Sequence, residues 1–527
     1  MTIAKLLFEL EQLNVGLWVE TDQLRFRAPR GVVSEEIRQK IALYKDELIS
    51  FLGKAIQLCT PRSAQVPDAE DLPFTPNQAW YLNTFNPEEH SWANTLSLTV
   101  PWQLKAEAVQ ATMQQLLQQH DIFRLRFYRT QQGRWAQRML ADAEVSFITY
   151  DMTGLAQQDR HAATREAARQ LEVGLSIVNG PVIAAALCDF GGADESKLLL
   201  SVSKHVVDGY SLQLLIAELL RINHAFSTDM QAGKDMQQPQ QSASASYQQY
   251  LLALDEATSQ PMFAARALSF WRQPHRLNAS RLLPVDRQGG RHTDVNSRRV
   301  SVVLDAALLQ RLTSYLRAYQ GASFNDLVLF AISHAYHRWT GERSLRLDCE
   351  SHGRGAVLPS LDLLATIGPT TIKFPLYLEV RPDLDQAAAF ARLQASVRET
   401  MDNVLGYGFL RYTCADVDIH AEFAASPPPQ VFLNNRTTLG SRTDSTETVD
   451  IADTADTEAP PKISVEEIAF VAAGAQENLV SYTLMIECDN GKDTVVLTCV
   501  YSSDIHHEET IRNFAQDCLS SLQSLVA

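Results

Sequence analysis

The chain has 527 residues, a formal net charge of −16, and 45% hydrophobic and 20% charged residues. This composition is that of a globular protein, and the length exceeds what one hydrophobic core holds together, so we expect two or three compact units. The acidic balance argues against nucleic-acid binding, which requires clustered Lys and Arg.

Targeting and redox signals restrict the location of the protein. No apolar run approaches the ~18 to 20 residues of a membrane span. The N-terminus carries Glu9 and Glu11 inside its apolar stretch, which does not fit a secretory signal. Seven cysteines are scattered without a CxxC pair, which predicts reduced thiols in a cytoplasmic protein and neither a disulfide framework nor a metal site.

The N-terminal residues 1–55 show a helix–hairpin–helix pattern. Residues 2–13 carry apolar side chains at helical spacing, and two alternating runs within 15–27 predict a β-hairpin. One further helix is predicted over 34–51, because Ser34 is a good N-cap residue and the apolar spacing continues from it. A segment with linker composition follows at 56–71.

This pattern resembles the N-terminal docking domains of synthetase subunits, the type named after the tubulysin assembly line. The resemblance implies that the exposed hairpin edge receives the C-terminal tail of an upstream carrier-protein subunit, since an unpaired strand edge is a template for an added strand. The expected docking residues are Leu24, Arg25, Phe26 and Arg27, and Arg30 lies just beyond them. Because these arginines stand in an acidic protein, the captured tail is predicted to carry Asp or Glu.

Helices and strands alternate through the rest of the chain. A Gln/Ser/Ala-rich stretch at 229–246 predicts a loose connection between two halves, and an acidic stretch at 443–459 predicts a mobile loop. His334 and His337 have a spacing that suits a metal, but no third ligand is spaced nearby and we expect no metal site. The main predicted elements are helices at 104–119, 162–170, 211–221, 323–339 and 507–525 and strands at 182–189, 198–202, 463–471, 480–488 and 494–501.

The stretch LLLSVSKHVVDGYSL at 198–212 organises the chain. A short buried strand runs into a turn at Asp208-Gly209 and then into an amphipathic helix. The strand end concentrates polar side chains, including Ser203, Lys204 and His205. Spacing alone leaves two interpretations open: a solvated strand end, or a reactive site held by a rigid scaffold.

The segment SKHVVDGYS at 203–211 resembles the HHxxxDG motif of condensation domains in nonribosomal peptide synthetases, which belong to the chloramphenicol-acetyltransferase-like superfamily. The resemblance implies an α/β (α+β) fold of two acetyltransferase-like lobes in a V, at 72–240 and 247–527, with a tunnel between them. Further similar segments follow in family order: FTPNQAW at 74–80, HDIFRLRF at 120–127, SHGR at 351–354, IGPTTIKFP at 367–375 and PQVFLNN at 429–435.

Asp208 and Gly209 set the alignment with this motif. The first His of the family motif then falls on Ser203, and the second, catalytic His falls on Lys204. The resemblance gives Asp208 a structural role in an ion pair, for which Arg354 is the candidate partner. We therefore expect the catalytic region to contain Ser203, Lys204, Asp208 and Gly209.

The altered motif raises the question of which side chain does the chemistry. Successive strand residues point to opposite faces, so Lys204 is expected to face the tunnel and His205 to face away from it, if strand geometry persists that far. A Lys204 ammonium would stabilise a developing oxyanion. To act as a base it would need a pKa brought down from about 10.4 towards neutrality.

The resemblance implies an acyltransferase that joins a carrier-bound acyl or peptidyl thioester to an amine or hydroxyl acceptor. No cofactor is expected on this chain, because the phosphopantetheine arm belongs to a partner carrier protein. No adenylation, carrier or thioesterase segment is visible, so we expect either a free-standing protein or an excised part of a larger synthetase. Because Lys204 replaces the catalytic His, the alternatives are a catalytically silent docking or gating module and an inactivated variant. Epimerisation of a carrier-bound aminoacyl group is a further alternative.

Overall fold

The computed structural model describes most of the chain. The described residues are 2–13, 15–20, 23–29, 32–58, 71–84, 93–100, 102, 104–191, 196–232, 244–277, 282–293, 295–354, 358, 361–436, 464–468, 482–490 and 494–527. Arg30, the predicted acidic loop at 443–459 and most of the predicted connection at 229–246 lie outside them. Among the described residues, no helix combines the length and the apolar composition needed to cross a membrane.

The N-terminal unit consists of three helices and a hairpin. Its elements are α1 (Ile3–Gln12), β1 (Gly16–Glu20), β2 (Gln23–Arg27), α2 (Glu35–Leu43) and α3 (Lys45–Leu58). The single helix predicted over 34–51 is divided, because Tyr44 leaves helical geometry (φ −102°, ψ 16°) and caps α2. Helix α3 continues to Leu58 and thus occupies the first residues of the predicted linker.

This unit packs on the main body through its apolar helical face. Leu6, Leu7 and Leu10 of α1 are fully buried, as their helical spacing predicts. Helices α1 and α3 lie against helix α9 (Pro261–Trp271) of the main body. A unit of this size buries little surface by itself, so the shared interface with α9 contributes to its stability.

The first lobe is built around a five-stranded sheet. Its elements are β3 (Asp71–Leu72), α4 (Pro76–Thr84), β4 (Ala93–Thr99), α5 (Ala106–Gln119), β5 (Leu125–Arg129), β6 (Trp135–Met139), β7 (Phe147–Asp151), α6 (Gln157–Val173), β8 (Ile183–Asp189), β9 (Lys197–Ser203) and α7 (Gly209–Gln231). Strand β9 is central in the sheet and pairs antiparallel with β4 and β8. Strands β3, β6 and β5 form a separate three-stranded sheet.

The second lobe contains a six-stranded mixed sheet covered by long helices. Its elements, besides α9, are α8 (Tyr247–Thr258), α10 (Pro274–Leu277), β10 (Ser297–Leu304), α11 (Ala306–Leu316), α12 (Phe324–Thr340), β11 (Ser344–Ser351), β12 (Ile372–Glu379), α13 (Gln386–Met401), α14 (Val404–Gly408), α15 (Val417–Ala425), β13 (Val431–Arg436), β15 (Leu484–Asn490), β16 (Val495–Ser502) and α16 (Glu508–Leu525). Strand β14 (Ser464–Glu467) lies between β13 and β15 in the chain but joins the five-stranded sheet of the first lobe. The strand order is β10-β16-β15-β13-β11-β12. The fold is therefore α+β with two lobes.

Strand β14 departs from the predicted division of the chain. Its residues were expected in the second lobe, but β14 pairs antiparallel with β4 of the first lobe, with Val465 opposite Leu98. Without β14, strand β4 would present an open edge, and an open edge is a template for unwanted pairing. Strand β14 covers that edge and ties the lobes together.

Candidate active site

The motif segment lies where the central strand of the first lobe ends. Strand β9 stops at Ser203, and the chain turns at once, with the Val206 N–H donating to the Ser203 carbonyl at 3.1 Å. Helix α7 begins at Gly209, two residues earlier than predicted, because the Asp208 carboxylate accepts the Ser211 N–H at 2.8 Å and caps the helix. Asp208 therefore has a capping role that the sequence analysis did not assign.

Asp208 and Arg354 form an almost fully buried ion pair. Arg354 Nη1 lies 3.1 Å from Asp208 Oδ2, and Arg354 Nη2 lies 3.3 Å from Asp208 Oδ1. The side chains are 0% and 7% exposed. A two-point contact between a guanidinium and a carboxylate is strong and directional. The pair holds the first lobe, through Asp208, to the second lobe, through Arg354.

The second lobe surrounds the Asp208 carboxylate with further donors. The backbone N–H groups of Thr370 and Thr371 donate to Asp208 Oδ2 at 3.0 and 3.1 Å. Ser211 donates its hydroxyl to the Gly368 carbonyl at 2.7 Å. These contacts satisfy the buried charge, so Asp208 is held in one position and has little freedom to act as a proton carrier.

The turn that carries Arg354 depends on a glycine. Gly353 has φ +69°, and a Cβ there would lie 2.0 Å from the Thr370 carbonyl oxygen. Any side chain would therefore push the Arg354 segment away from the chain that carries Thr370. The SHGR resemblance thus corresponds to a tight backbone approach beside the ion pair.

His205 lies in the core of the first lobe. Its Nδ1 is 3.0 Å from Ser203 Oγ, and its ring packs edge-on to Tyr81 at 4.5 Å and Phe127 at 5.9 Å. Burial lowers the pKa of His205 to about 4, which keeps it neutral at physiological pH. Strand β9 ends at Ser203, so the strand alternation that was expected to continue to His205 does not apply. The side chains of Ser203 and His205 are both buried in the core.

Lys204 and Gly209 have more open surroundings. Lys204 is half-buried in the turn between β9 and α7. Apart from its chain neighbours and the backbone of its own helix, no atom lies within 4 Å of the position that a Cβ on Gly209 would take. Gly209 is exposed, so this open space beside Asp208 reaches solvent.

A second charged cluster lies on the sheet of the second lobe. Asp348 and Glu350 alternate with Cys349 along β11 and so point to one face of the sheet. Lys373 on β12 is directly opposite Glu350 in the antiparallel register, which places both side chains on that same face. We call Asp348, Glu350 and Lys373 the sheet cluster.

Aromatic rings enclose the lysine of this cluster. The Lys373 ammonium lies 4.1 Å from the ring centroid of Trp80, 4.8 Å from Tyr482 and 5.2 Å from Phe432. Such cation–π contacts hold an ammonium in place without neutralising it. Trp80 belongs to α4 of the first lobe, so this contact also crosses between the lobes. The Tyr482 hydroxyl donates to Asp348 Oδ2 at 2.8 Å.

Burial moves all three groups of the sheet cluster towards their neutral forms. It raises the pKa of Asp348, against the influence of Lys373 and the Tyr482 hydrogen bond. It raises the pKa of Glu350 too, where Lys373 opposes the rise and Asp208 adds to it. It lowers the pKa of Lys373, although both carboxylates pull the other way. Perturbed groups of this kind often mark functional sites.

Glu350 differs from Asp348 in its access to solvent. Asp348 is 9% exposed, whereas Glu350 is exposed. Surrounding protein nevertheless raises the pKa of the Glu350 carboxyl group by desolvation, although the residue reaches solvent. It is within electrostatic range of Asp208, and it is therefore close to the motif turn.

The sheet cluster was not predicted from the sequence. Lys373 lies inside the segment IGPTTIKFP, and Glu350 directly precedes the segment SHGR. The available signal was a pair of acidic residues at alternating positions of a largely buried strand, LRLDCES. Their meeting with Lys373 depends on the β11–β12 register, which sequence alone does not fix.

Comparison with protein families agrees with this geometry. The family model described as Condensation domain matches residues 68–527. The chain belongs to the condensation domain family. A second model, the TubC N-terminal docking domain, matches residues 3–53. The suspected resemblance is thereby confirmed for both parts of the chain.

The curated relatives of this condensation domain are much longer proteins. One of the linear gramicidin synthase subunits of Brevibacillus parabrevis is 27% identical over 465 residues, covering 87% of this chain and 6% of that protein. Surfactin synthase subunit 1 of Bacillus subtilis (strain 168) is 26% identical over 395 residues, covering 74% of this chain and 11% of that protein. The chain thus spans about a tenth or less of the length of these relatives.

Solved structures share the fold at low identity. The epimerization domain from the third module of tyrocidine synthetase B has a TM-score of 0.68 at 20% identity, covering 87% of this chain and 97% of that one. A structure described as condensation domain-mediated chain release from the enacyloxin polyketide synthase has a TM-score of 0.61 at 17% identity, covering 100% and 96%. The EpoB cyclization-docking bidomain from Sorangium cellulosum has a TM-score of 0.58 at 16% identity, covering 100% and 98%.

The hairpin ahead of the condensation domain presents several exposed side chains. Strands β1 and β2 form a two-stranded sheet, so the outer edge of β2 has no partner strand within the described residues. Arg25, Phe26 and Arg27 are exposed, and Leu24 is half-buried. Arg25 Nε lies 3.3 Å from Glu20 Oε2, and this exposed pair is weak enough to be exchanged for another acidic partner.

His334 and His337 each have a backbone carbonyl close to Nδ1. His334 Nδ1 lies 2.9 Å from the Phe330 carbonyl, and His337 Nδ1 lies 2.9 Å from the Glu342 carbonyl. Within the part of the chain that the structure describes, no group of three or more potential metal ligands comes together. The pair therefore serves as helix and helix-end contacts.

Proposed function

We propose that this condensation domain transfers an acyl or peptidyl group from a carrier-bound thioester to an amine or hydroxyl acceptor. The observation that carries the proposal is the open space at Gly209 beside the immobile Asp208–Arg354 pair, with Lys204 and Glu350 as the nearby ionisable groups. The phosphopantetheine arm that presents the thioester is supplied by a partner carrier protein. The chain itself needs no cofactor for this reaction.

The catalytic roles follow from mobility and charge. Asp208 and Arg354 fix the turn and position the reacting groups, and Gly209 leaves room for the thioester. The acceptor nitrogen or oxygen attacks the carbonyl carbon, and Lys204 stabilises the negative charge that develops on the carbonyl oxygen. The acceptor proton passes to the Glu350 carboxylate, the carbon–sulfur bond breaks, and the thiolate leaves and takes up a proton. Glu350 thus replaces the base that the motif lacks.

The N-terminal unit is proposed to recruit the donor. The outer edge of β2 and the side chains of Leu24, Arg25, Phe26 and Arg27 would accept an acidic C-terminal tail of the upstream carrier-protein subunit as an added strand. Arg25 and Arg27 make the edge of β2 locally positive in a chain of net charge −16, which favours an acidic partner at this edge.

A second candidate function is a catalytically silent docking or gating module. It is favoured by Lys204, which stands at the position of the motif's catalytic His and is not a proton acceptor while charged. The same observation favours an inactivated variant of an active domain. The alternative of epimerisation is favoured by the similarity in fold to the tyrocidine synthetase B epimerization domain.

The test is an assay of the full chain with an octanoyl-loaded carrier protein that ends in an acidic tail, and a panel of free amines and alcohols. Amide or ester product should form and be detected by mass spectrometry. Glu350→Gln should lower the rate by about 10²- to 10⁴-fold, the usual contribution of a general base. Glu256→Gln, a change of the same kind on the exposed face of α8, should leave the rate unchanged.

Variants of Lys204 and of the hairpin separate the alternatives. Product from Lys204→His alone identifies the present sequence as an inactivated variant, and no product from either protein supports a silent module. Loss of the α-deuteron from a deuterated aminoacyl carrier without bond formation identifies epimerisation. In an active protein, Arg25→Glu with Arg27→Glu should raise the KM for carrier-bound donor and leave that for a free N-acetylcysteamine thioester unchanged.

A further inference from the structure

A large cavity lies between the N-terminal unit and the second lobe. Its volume is ≈ 840 Å³, within the range of about 300–1,000 Å³ that holds drug-sized ligands. The N-terminal unit contributes Phe8, Val15 and Leu17 to its wall, and the second lobe contributes Met401 and Leu405 among others. The unit assigned to docking therefore forms part of an internal wall.

Several polar groups of the cavity wall are paired with neighbouring protein groups. Arg266 Nε lies 2.9 Å from Glu11 Oε2, which joins the N-terminal unit to α9. Arg266 also donates to the Asp402 carbonyl at 2.6 Å. The backbone N–H of Leu17 is 2.9 Å from Met262 Sδ. With these groups satisfied, what the wall offers to a ligand is mainly apolar and includes two adaptable methionine side chains.

The cavity extends to the motif region. His352 lines it, and the His352 ring stacks on Tyr210, the residue after Gly209, with centroids 5.6 Å apart. The His352 carbonyl accepts a hydrogen bond from Arg354 Nη1 at 3.1 Å. Leu405 lines both this cavity and a smaller pocket that contains Thr371 and Lys373. One end of the cavity is thus beside the proposed reaction centre, and the other is the N-terminal unit.

We propose that this cavity binds the aliphatic chain of the acyl donor, and that the N-terminal unit helps to select chain length through Phe8, Val15 and Leu17. The inference rests on the proposed acyl-transfer function and adds the substrate class. An uncharged, unbranched chain fits because Arg266 and Glu11 of the wall are paired with each other and most of the remaining surface is apolar. A charged or strongly polar chain would find no free partner for its charge among the lining groups described above.

The proposal predicts an affinity that depends on chain length. Butanoyl, octanoyl and dodecanoyl N-acetylcysteamine thioesters should bind the full chain with increasing affinity, by roughly fourfold per buried methylene, in isothermal titration calorimetry. Met401→Trp narrows the cavity and should remove most of the gain for dodecanoyl while sparing butanoyl. Val417→Trp adds the same side chain at a position that is 79% exposed and does not line the cavity, and it should change nothing.

A second variant tests the contribution of the N-terminal unit. Phe8→Ala widens the cavity from that side and should shift the preferred donor towards longer chains, whereas Leu43→Ala, at an exposed position of the same unit, should not. Equal affinity for all three thioesters, or a Met401→Trp profile identical to that of the parent, would overturn the inference. Binding is measured without turnover, so the two proposals fail separately. If no product forms but longer chains still bind more tightly, the acyl-transfer function is rejected and the cavity assignment stands.

Discussion

The Asp208–Arg354 ion pair and the sheet cluster are two charged groups within electrostatic range of each other, and they differ in how their charges are satisfied. Around Asp208, the carboxylate accepts hydrogen bonds from Arg354, from Ser211 and from the backbone of Thr370 and Thr371. In the sheet cluster, Lys373 is held by aromatic rings, and burial shifts its pKa and the pKa values of both carboxyl groups away from their ordinary values.

The difference separates a structural cluster from one suited to chemistry. A buried ion pair with several hydrogen bonds fixes geometry, because removal of either partner leaves the charge of the other uncompensated. Burial raises the pKa of the Glu350 carboxyl group, and the residue is exposed, so solvent reaches it. Asp208 is thus held in a buried ion pair, and Glu350, outside the motif's core, is the candidate base.

The largest loss of stability is expected from breaking the Asp208–Arg354 ion pair. Arg354→Met should lower the free energy of unfolding by about 3–5 kcal/mol, because Asp208 would remain buried without its partner. Urea denaturation of both proteins measures the difference. Arg381→Met removes the exposed pair with Asp383 and should leave stability unchanged. A stability loss no larger than that of this control would show that the Asp208 environment does not depend on Arg354.

A smaller loss of stability is expected when the sheet cluster loses the positive charge of Lys373. Lys373→Met keeps a long apolar side chain but removes the cation–π contacts, worth roughly 0.5–2 kcal/mol. It also removes the cation that lowers the pKa of Glu350 and the largest of the cationic influences on Asp348. The pKa of each carboxyl group should rise further, so the deficit is present at neutral pH and shrinks as both groups protonate in acid. Lys45→Met, at an exposed position of α3, is the matched control. A deficit that does not change with pH would contradict the assignment.

The smallest change in the free energy of unfolding is expected from removing the proposed base, Glu350, and this change is a gain in stability. Because burial raises the pKa of Glu350 above 4.5, the folded protein keeps this proton at pH values where the unfolded chain has lost it. The carboxyl group therefore lowers stability increasingly as the pH rises above 4.5, and it has no such effect well below that value. Glu350→Gln should therefore be more stable than the parent at neutral pH, and this gain should be absent in acid. The gain is expected to be small because solvent at this site screens the charge.

Thermal unfolding across a pH series measures this gain. Glu256→Gln, at an exposed position, should show no pH-dependent difference from the parent. If Glu350→Gln were destabilising at neutral pH, as Arg354→Met is expected to be, then the sheet cluster would be a structural frame as well.

Local elements were predictable to within a few residues where the pattern was strong. Helices α5 and α12 and strands β8 and β16 lie close to the predicted ranges, since apolar periodicity and good caps report local structure directly. The break at Tyr44 and the capping role of Asp208 were missed, because each depends on a few backbone angles and contacts. The crossing of β14 into the first lobe depends on an open edge of another element, which no local pattern reports.

The sequence by itself determined the family and the α+β class, because a run of ordered motifs survives large changes elsewhere. It also identified Arg354 as a candidate partner for Asp208, from a single resembling segment. The turn predicted at Asp208-Gly209 lies instead at 204–206, and Gly209 is the first residue of α7. Only the tertiary structure decided where His205 points, that Lys373 faces Glu350 across two strands, and that the N-terminal unit encloses a cavity with the second lobe. These features arise from strand register, turn direction and packing between distant segments, and such long-range contacts leave no periodic trace in the chain.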